Sequence, residues 1–163
     1  MPRHSLLVTI AALLTLAATG CGGDDDGAAD NAADADAGIG CLEDPRAETF
    51  TADMEHQGRD GLLTFVIEAG DPAPPAKGNN TWTVKVVDGA GAPVGGATVT
   101  ASPFMPDHGH PTSVVPQVTE GEGEGEYNIS PLYLFMPGLW EITIQAVSGD
   151  TTDSAKFSFC VQG

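Results

Sequence analysis

The chain predicts an all-β domain, a sandwich of two antiparallel sheets with about seven strands. Three observations lead there. Short runs alternate apolar and polar residues, 21 Gly and 12 Pro interrupt them at strand-length intervals, and no stretch keeps a helical period. The first run is Leu62 to Glu68 (LLTFVIE), ended by the breaker GDPAPPAKGNN. Thr81 to Asp88 (TWTVKVVD) puts Trp82, Val84 and Val86 on one face and Thr83, Lys85 and Val87 on the other. DGAGAPVGG reads as a hairpin turn into Ala97 to Ala101, since it lacks a GK[ST] ending and precedes a strand rather than a helix. Val114 to Thr119, Glu126 to Phe135, Leu139 to Val147 and Ser154 to Val161 complete the set. EGEGEGE at 120–126 lacks the Asp-rich spacing of calcium loops and reads as a solvated turn. Strands of this number and spacing point to an immunoglobulin-like sandwich.

Residues 41–163 form that domain; two segments precede it. Arg3 and His4 are followed by an apolar run from Leu6 to Ala18. At about 13 residues it is too short to span a membrane and suits the core of a secretory signal peptide over 1–20. The small residues Ala17 to Gly20 then lead into Cys21, which resembles the bacterial lipoprotein box, with Ala18 where Leu is usual. That resemblance implies lipidation of Cys21 and a membrane anchor. Residues 21–40 are rich in Asp and Ala and carry almost no large apolar side chain. Such a segment buries too little surface to offset its ordering entropy, so it reads as a disordered tether of roughly 25 Å.

The formal charge is −17, from six basic and 23 acidic side chains, and the leader takes Arg3 away from the basic set. No basic patch exists for a phosphate backbone, which excludes nucleic acid as an expected partner. With Cys21 lipidated, Cys41 and Cys160 remain as an even pair for an oxidising compartment. Their disulfide would close a loop of nearly the whole domain, where chain-entropy stabilisation is greatest. The alternative, thiolates on a metal, lacks a CxxC spacing.

Every Met and His after the leader falls in one of three segments: Met54-Glu55-His56, Met105-Pro106-Asp107-His108-Gly109-His110 and Met136-Pro137-Gly138. Thioethers with imidazoles suit Cu(I), whereas imidazoles with a carboxylate suit Cu(II) or Zn(II). In an extended backbone His108 and His110 share a face, and Gly109 lets the two rings converge. Met105, His108, His110 and Met136 are the candidate ligands, with Asp107 auxiliary. The competing reading is structural: Met-Pro at a strand end is packing plus a terminator, and the imidazoles bond backbone carbonyls.

The stretch from Met105 to Ala146 resembles the YtkA-like family, which is related to FixH-like proteins. The resemblance rests on Met105-Pro106-Asp107-His108-Gly109-His110, on Gly125-Glu126-Tyr127 and on Met136-Pro137-Gly138-Leu139-Trp140. It implies an immunoglobulin-like envelope domain, and for such families a link to copper has been proposed, which here falls on Met105, His108, His110 and Met136. FixH-like members usually carry a membrane-spanning segment near the N-terminus, where this chain has a lipoprotein-type leader. Two functions follow as expectations. The first is a lipid-anchored envelope protein that handles copper without chemical turnover. The second is a non-catalytic module that meets another envelope protein and holds no metal. A hydrolase is not expected, because Ser113 near His110 forms no nucleophile motif and no HExxH or carboxylate pair occurs.

Overall fold

A computed structural model describes residues 40–163. The expected signal peptide, the lipidated Cys21 and nearly all of the acidic tether lie outside the described residues. Those described form nine strands. They are β1 (Met54–Gln57), β2 (Leu63–Asp71), β3 (Gly78–Asp88), β4 (Thr98–Met105), β5 (His110–Pro111), β6 (Gln117–Glu120), β7 (Glu126–Leu134), β8 (Gly138–Ser148) and β9 (Thr151–Val161). They build a five-stranded sheet, ordered β1-β2-β3-β7-β6, and a four-stranded sheet, ordered β5-β4-β8-β9, with antiparallel pairing throughout.

The all-β sandwich follows the alternation of the sequence. Phe65 and Ile67 on β2, Trp82, Val84 and Val86 on β3, and Trp140, Ile142, Ile144 and Ala146 on β8 are all fully buried. Ala155, Phe157 and Phe159 on β9 close the same core. Period-two patterning places each set on one face, and burying it between two sheets is the hydrophobic gain that holds them together.

Two strands beyond the expected seven are β1 and β5. Each is too short to alternate visibly, and each exists because a longer neighbour offers an edge. β1 pairs along Thr64–Ile67, and β5 pairs with only Phe104 and Met105. Strand β7 departs from simple alternation. Asn80 pairs with Leu132 and Trp82 with Ile129, so Ser130 and Pro131 together oppose Thr81. This bulge resets the parity, which lets Tyr127, Ile129, Leu132 and Leu134 all face inward.

DGAGAPVGG does not join two paired strands, contrary to the hairpin expectation. Asp88 Oδ1 accepts from the N–H groups of Ala90 and Ala92, and the chain folds back on β3 through Val94 N–H to Val86 O. It then crosses to β4 in the other sheet. Tyr127 fastens the crossing, its hydroxyl donating to Val94 O at 2.6 Å and accepting from Ala97 N–H at 2.9 Å. The breaker before β3 is organised by the buried Asn80. Its side chain accepts from Ala76 N–H and donates to the carbonyls of Ala76 and Gly78.

Cys41 and Cys160 form the expected disulfide, with Cα atoms 5.3 Å apart at a sequence separation of 119. It ties the segment before β1 to the last strand. Among the described residues no helix is long and apolar enough to cross a membrane.

Candidate metal site

Both Met-Pro elements end strands. Met105 is the last residue of β4, and Met136 stands between β7 and β8. Strand β4 alternates exposed and buried residues, which turns Val99, Ala101, Pro103 and Met105 inward. The chain then reverses tightly, with Gly109 N–H bonding Met105 O at 2.8 Å and Gly109 at φ 70°. That turn returns His110 directly opposite Met105 in the β4–β5 pair. Opposed residues of an antiparallel pair share a face, so His110 stands over the end of the core beside Met105.

The four candidate donors occupy three different settings. Met105 is fully buried and belongs to the core. Its methyl group packs so closely over Gly138 that a Cβ there would lie 2.7 Å from Met105 Cε. Met136 is half-buried and packs against the core, while its carbonyl accepts from Trp140 Nε1 at 2.9 Å. His108 is exposed and His110 half-exposed. The two imidazoles stand together, with ring centroids 5.7 Å apart and planes at 79°. Two imidazoles bound to one ion at about 2.0 Å have ring centres roughly 5–6 Å apart, so this spacing fits a shared cation.

His110 is held in place by aromatic neighbours. It stacks on Phe135 at 5.5 Å and meets the edge of Trp140 at 6.4 Å. Its Nδ1 lies 3.1 Å from Pro111 O. A carbonyl only accepts, so that contact puts the proton on Nδ1 and leaves the Nε2 lone pair for a ligand.

Asp107 is already engaged. Arg46 Nη2 reaches both of its oxygens, at 2.8 and 3.0 Å, and also pairs with Asp44 at 2.6 Å. The Arg46 hydrogen bonds hold the Asp44 carboxyl below the usual carboxylate range. The network connects the Met105–Gly109 turn to the segment that the disulfide anchors at Cys41. Among the described residues no three His, Cys, Asp or Glu side chains gather into a metal-binding group. A cation held by the two imidazoles would need a further donor from outside that set.

Met54-Glu55-His56 lies elsewhere, on β1, where His56 stacks on Phe157 at 4.4 Å. Sequence reasoning missed two kinds of residue. Phe135 and Trp140, which frame His110, were signalled by the phenylalanine before each Met-Pro and by the Trp after Met136-Pro-Gly. Arg46 carried no signal, because its partner Asp107 is 61 residues away.

The family profile described as YtkA-like matches residues 63–145, about half of the chain. The chain belongs to the YtkA-like family. The match runs from β2 into β8 and contains His108, His110 and both Met-Pro elements. No curated protein matches the chain. Among solved structures it is similar to PcoC, a methionine-rich copper resistance protein from Escherichia coli. The identity is 17%, with a TM-score of 0.40, over 59% of this chain and 96% of PcoC. FetP of a uropathogenic E. coli strain is 12% identical with a TM-score of 0.38, over 71% of this chain and 93% of FetP. Likeness of that degree carries no inference about what this YtkA-like chain binds.

The geometry divides the family motifs by role. Gly125 and Tyr127 fasten the sheet crossing, Gly138 makes room for Met105, and Trp140 bonds the Met136 carbonyl. His108 is exposed, and His110 packs by one side against Phe135 and Trp140.

Proposed function

We propose that this domain captures copper outside the cytoplasm, at the rim of the sandwich where His108 and His110 meet. The observation that carries the reading is the imidazole pair at 5.7 Å, His108 exposed and His110 half-exposed, inside a motif whose other residues are occupied by the fold. Nε2 of His110 and a nitrogen of His108 take the ion first. Met136 is the more exposed of the two Met-Pro thioethers and joins them, while Met105 stays in the core and supports His110 from below. With Asp107 held by Arg46, the donor set is soft and short of oxygen, which favours Cu(I) over Cu(II) or Zn(II). Capture is by ligand exchange, with no bond made or broken in a substrate.

The compartment belongs to the same proposal. The Cys41–Cys160 disulfide supports an oxidising environment, and the leader and Cys21 support a lipid-anchored protein of the bacterial envelope.

The test is an anaerobic Cu(I) competition titration of the folded domain against a chromophoric chelator. His108→Ala combined with His110→Ala is expected to weaken binding at least tenfold, about 1.4 kcal/mol. Met105→Leu is expected to leave affinity essentially unchanged. Equal affinity in the wild type and the double variant removes the reading. The second reading, a module that meets another envelope protein without metal, then takes its place. It is favoured by Val114 and Val115, which stand 37% and 77% exposed between β5 and β6.

A further inference from the structure

Strand β9 is an 11-residue edge strand, paired only with β8, yet its outer edge is not open. Three alternate carbonyls along it are each met by a donor from the segment before β2. Arg59 N–H bonds Ser154 O at 2.8 Å, His56 Nδ1 lies 2.7 Å from Lys156 O, and Glu48 N–H bonds Ser158 O at 2.8 Å. One step further, Cys160 is joined to Cys41. Glu48 answers twice, because its carboxylate also accepts the Ser158 N–H. The substitute for a tenth strand is thus assembled from a loop amide, a side chain and a backbone amide.

The middle contact raises a question of protons. Lys156 O can only accept, so His56 must carry hydrogen on Nδ1. Its other nitrogen, Nε2, faces Glu48 Oε2 at 3.3 Å. A carboxylate oxygen also only accepts, and this one is buried with no hydrogen-bond partner. Without a further proton two lone pairs face each other and a buried acceptor is left unmet. One proton shared between Nε2 and Oε2 turns that 3.3 Å contact into an attraction and gives the buried oxygen a donor to approach. The ring is held for that contact by stacking on Phe157, 4.4 Å away and nearly parallel.

We propose that Glu48 and His56 form a one-proton latch that closes the free edge of β9 and releases it as pH rises. The other charged groups around this contact are Glu55 on β1, Arg59 after it, Glu141 on β8 and Lys156 on β9, all lining the adjoining groove. Glu141 and Lys156 neutralise each other at 3.0 Å. Burial pushes the Glu48 carboxyl up, His56 and the Ser158 N–H pull it down, and the net direction is upward. A carboxyl raised in the folded state binds its proton more tightly there. Its stabilisation is complete at lower pH and is lost as pH climbs through the raised value, the same sign as the latch. The released strand edge is a template for pairing with another extended chain, which the closed latch prevents.

Hydrogen exchange of the Glu48 and Ser158 amides, taken as protection factors from about pH 4 upward, the side to which burial moves the Glu48 carboxyl, reads the latch directly. In the wild type protection is expected to fall at least tenfold as the pair gives up its proton. Glu48→Gln provides an amide N–H for Nε2 with no added proton, so its protection is expected to stay level over the same range. A nitrogen-15 spectrum of the wild-type imidazole supplies a second readout that needs no variant. It is expected to show hydrogen on Nδ1 at every pH where the latch is closed. An equal fall in protection in wild type and Glu48→Gln overturns the proposal, as does an Nδ1 without hydrogen.

Discussion

Replacing Asp153 with Ala is expected to lower the stability of the domain by about 4 kcal/mol, a fall of roughly 15 °C in Tm. Asp153 is 2% exposed, at the start of β9. Its carboxylate accepts from the N–H groups of Asp60, Leu62, Leu63 and Ser154, at 2.8 to 3.0 Å. Two of those donors, Asp60 and Leu62, belong to the turn between β1 and β2 and a third, Leu63, begins β2, so one side chain fastens that turn to the opposite sheet. Truncation orphans four amides at once. Each buried orphan costs about 1–3 kcal/mol, and water relieves those nearest the surface. Gly58 packs against the same carboxylate, where a Cβ would overlap it, so no larger residue fills the gap from that side.

The same group gives the domain an acid limb. Burial pushes the Asp153 carboxyl up, the four amides pull it down more strongly, and the net direction is downward. A carboxyl depressed in the folded state adds stability above its unfolded value, and that stability is lost as pH falls through the lower folded value. Wild-type stability is expected to decline below about pH 4, and Asp153→Asn is expected to lack this part of the decline. Denaturant titrations of both proteins at a series of acid pH values measure the difference.

Gly125→Ala is expected to cost about 3 kcal/mol. Gly125 has φ 73°, and a Cβ there would meet Pro93 Cβ at 2.8 Å and both Val86 O and Val94 N at 2.9 Å. Two of those three atoms are backbone, so no rotamer change relieves the contact. Val86 N–H bonds Gly125 O at 2.9 Å, and Tyr127, two residues on, holds the crossing from β3 to β4. Displacing Gly125 disturbs both. Gly91→Ala is the control. Gly91 has φ 83° with nothing within 4 Å of a Cβ, so only the backbone penalty of about 1 kcal/mol is expected. Equal losses in the two variants would show that close packing at Gly125 contributes nothing.

These residues also show how far the sequence could be read. The inward faces of β3, β8 and β9 were legible, because alternation is a local property and burial follows it directly. Tyr127 and Gly125 could be picked out as a motif, but not assigned to the crossing they fasten. Met105 carried two readings, ligand or packing. Its methyl lies against Gly138, 33 residues away, and no local pattern encodes that contact. The His108–Gly109–His110 spacing did foretell the paired imidazoles, since both the turn and the pair lie within six residues.

By itself the sequence determined an all-β chain, the residues that make its core, the family it belongs to and the cysteines able to pair. All of these rest on order along the chain. Only the tertiary structure decided which sheet received each strand, which sulfur was enclosed and what covered the edge of β9. Those outcomes depend on groups brought together from distant positions, where competition for buried space and for hydrogen-bond partners selects among arrangements that local sequence leaves equal.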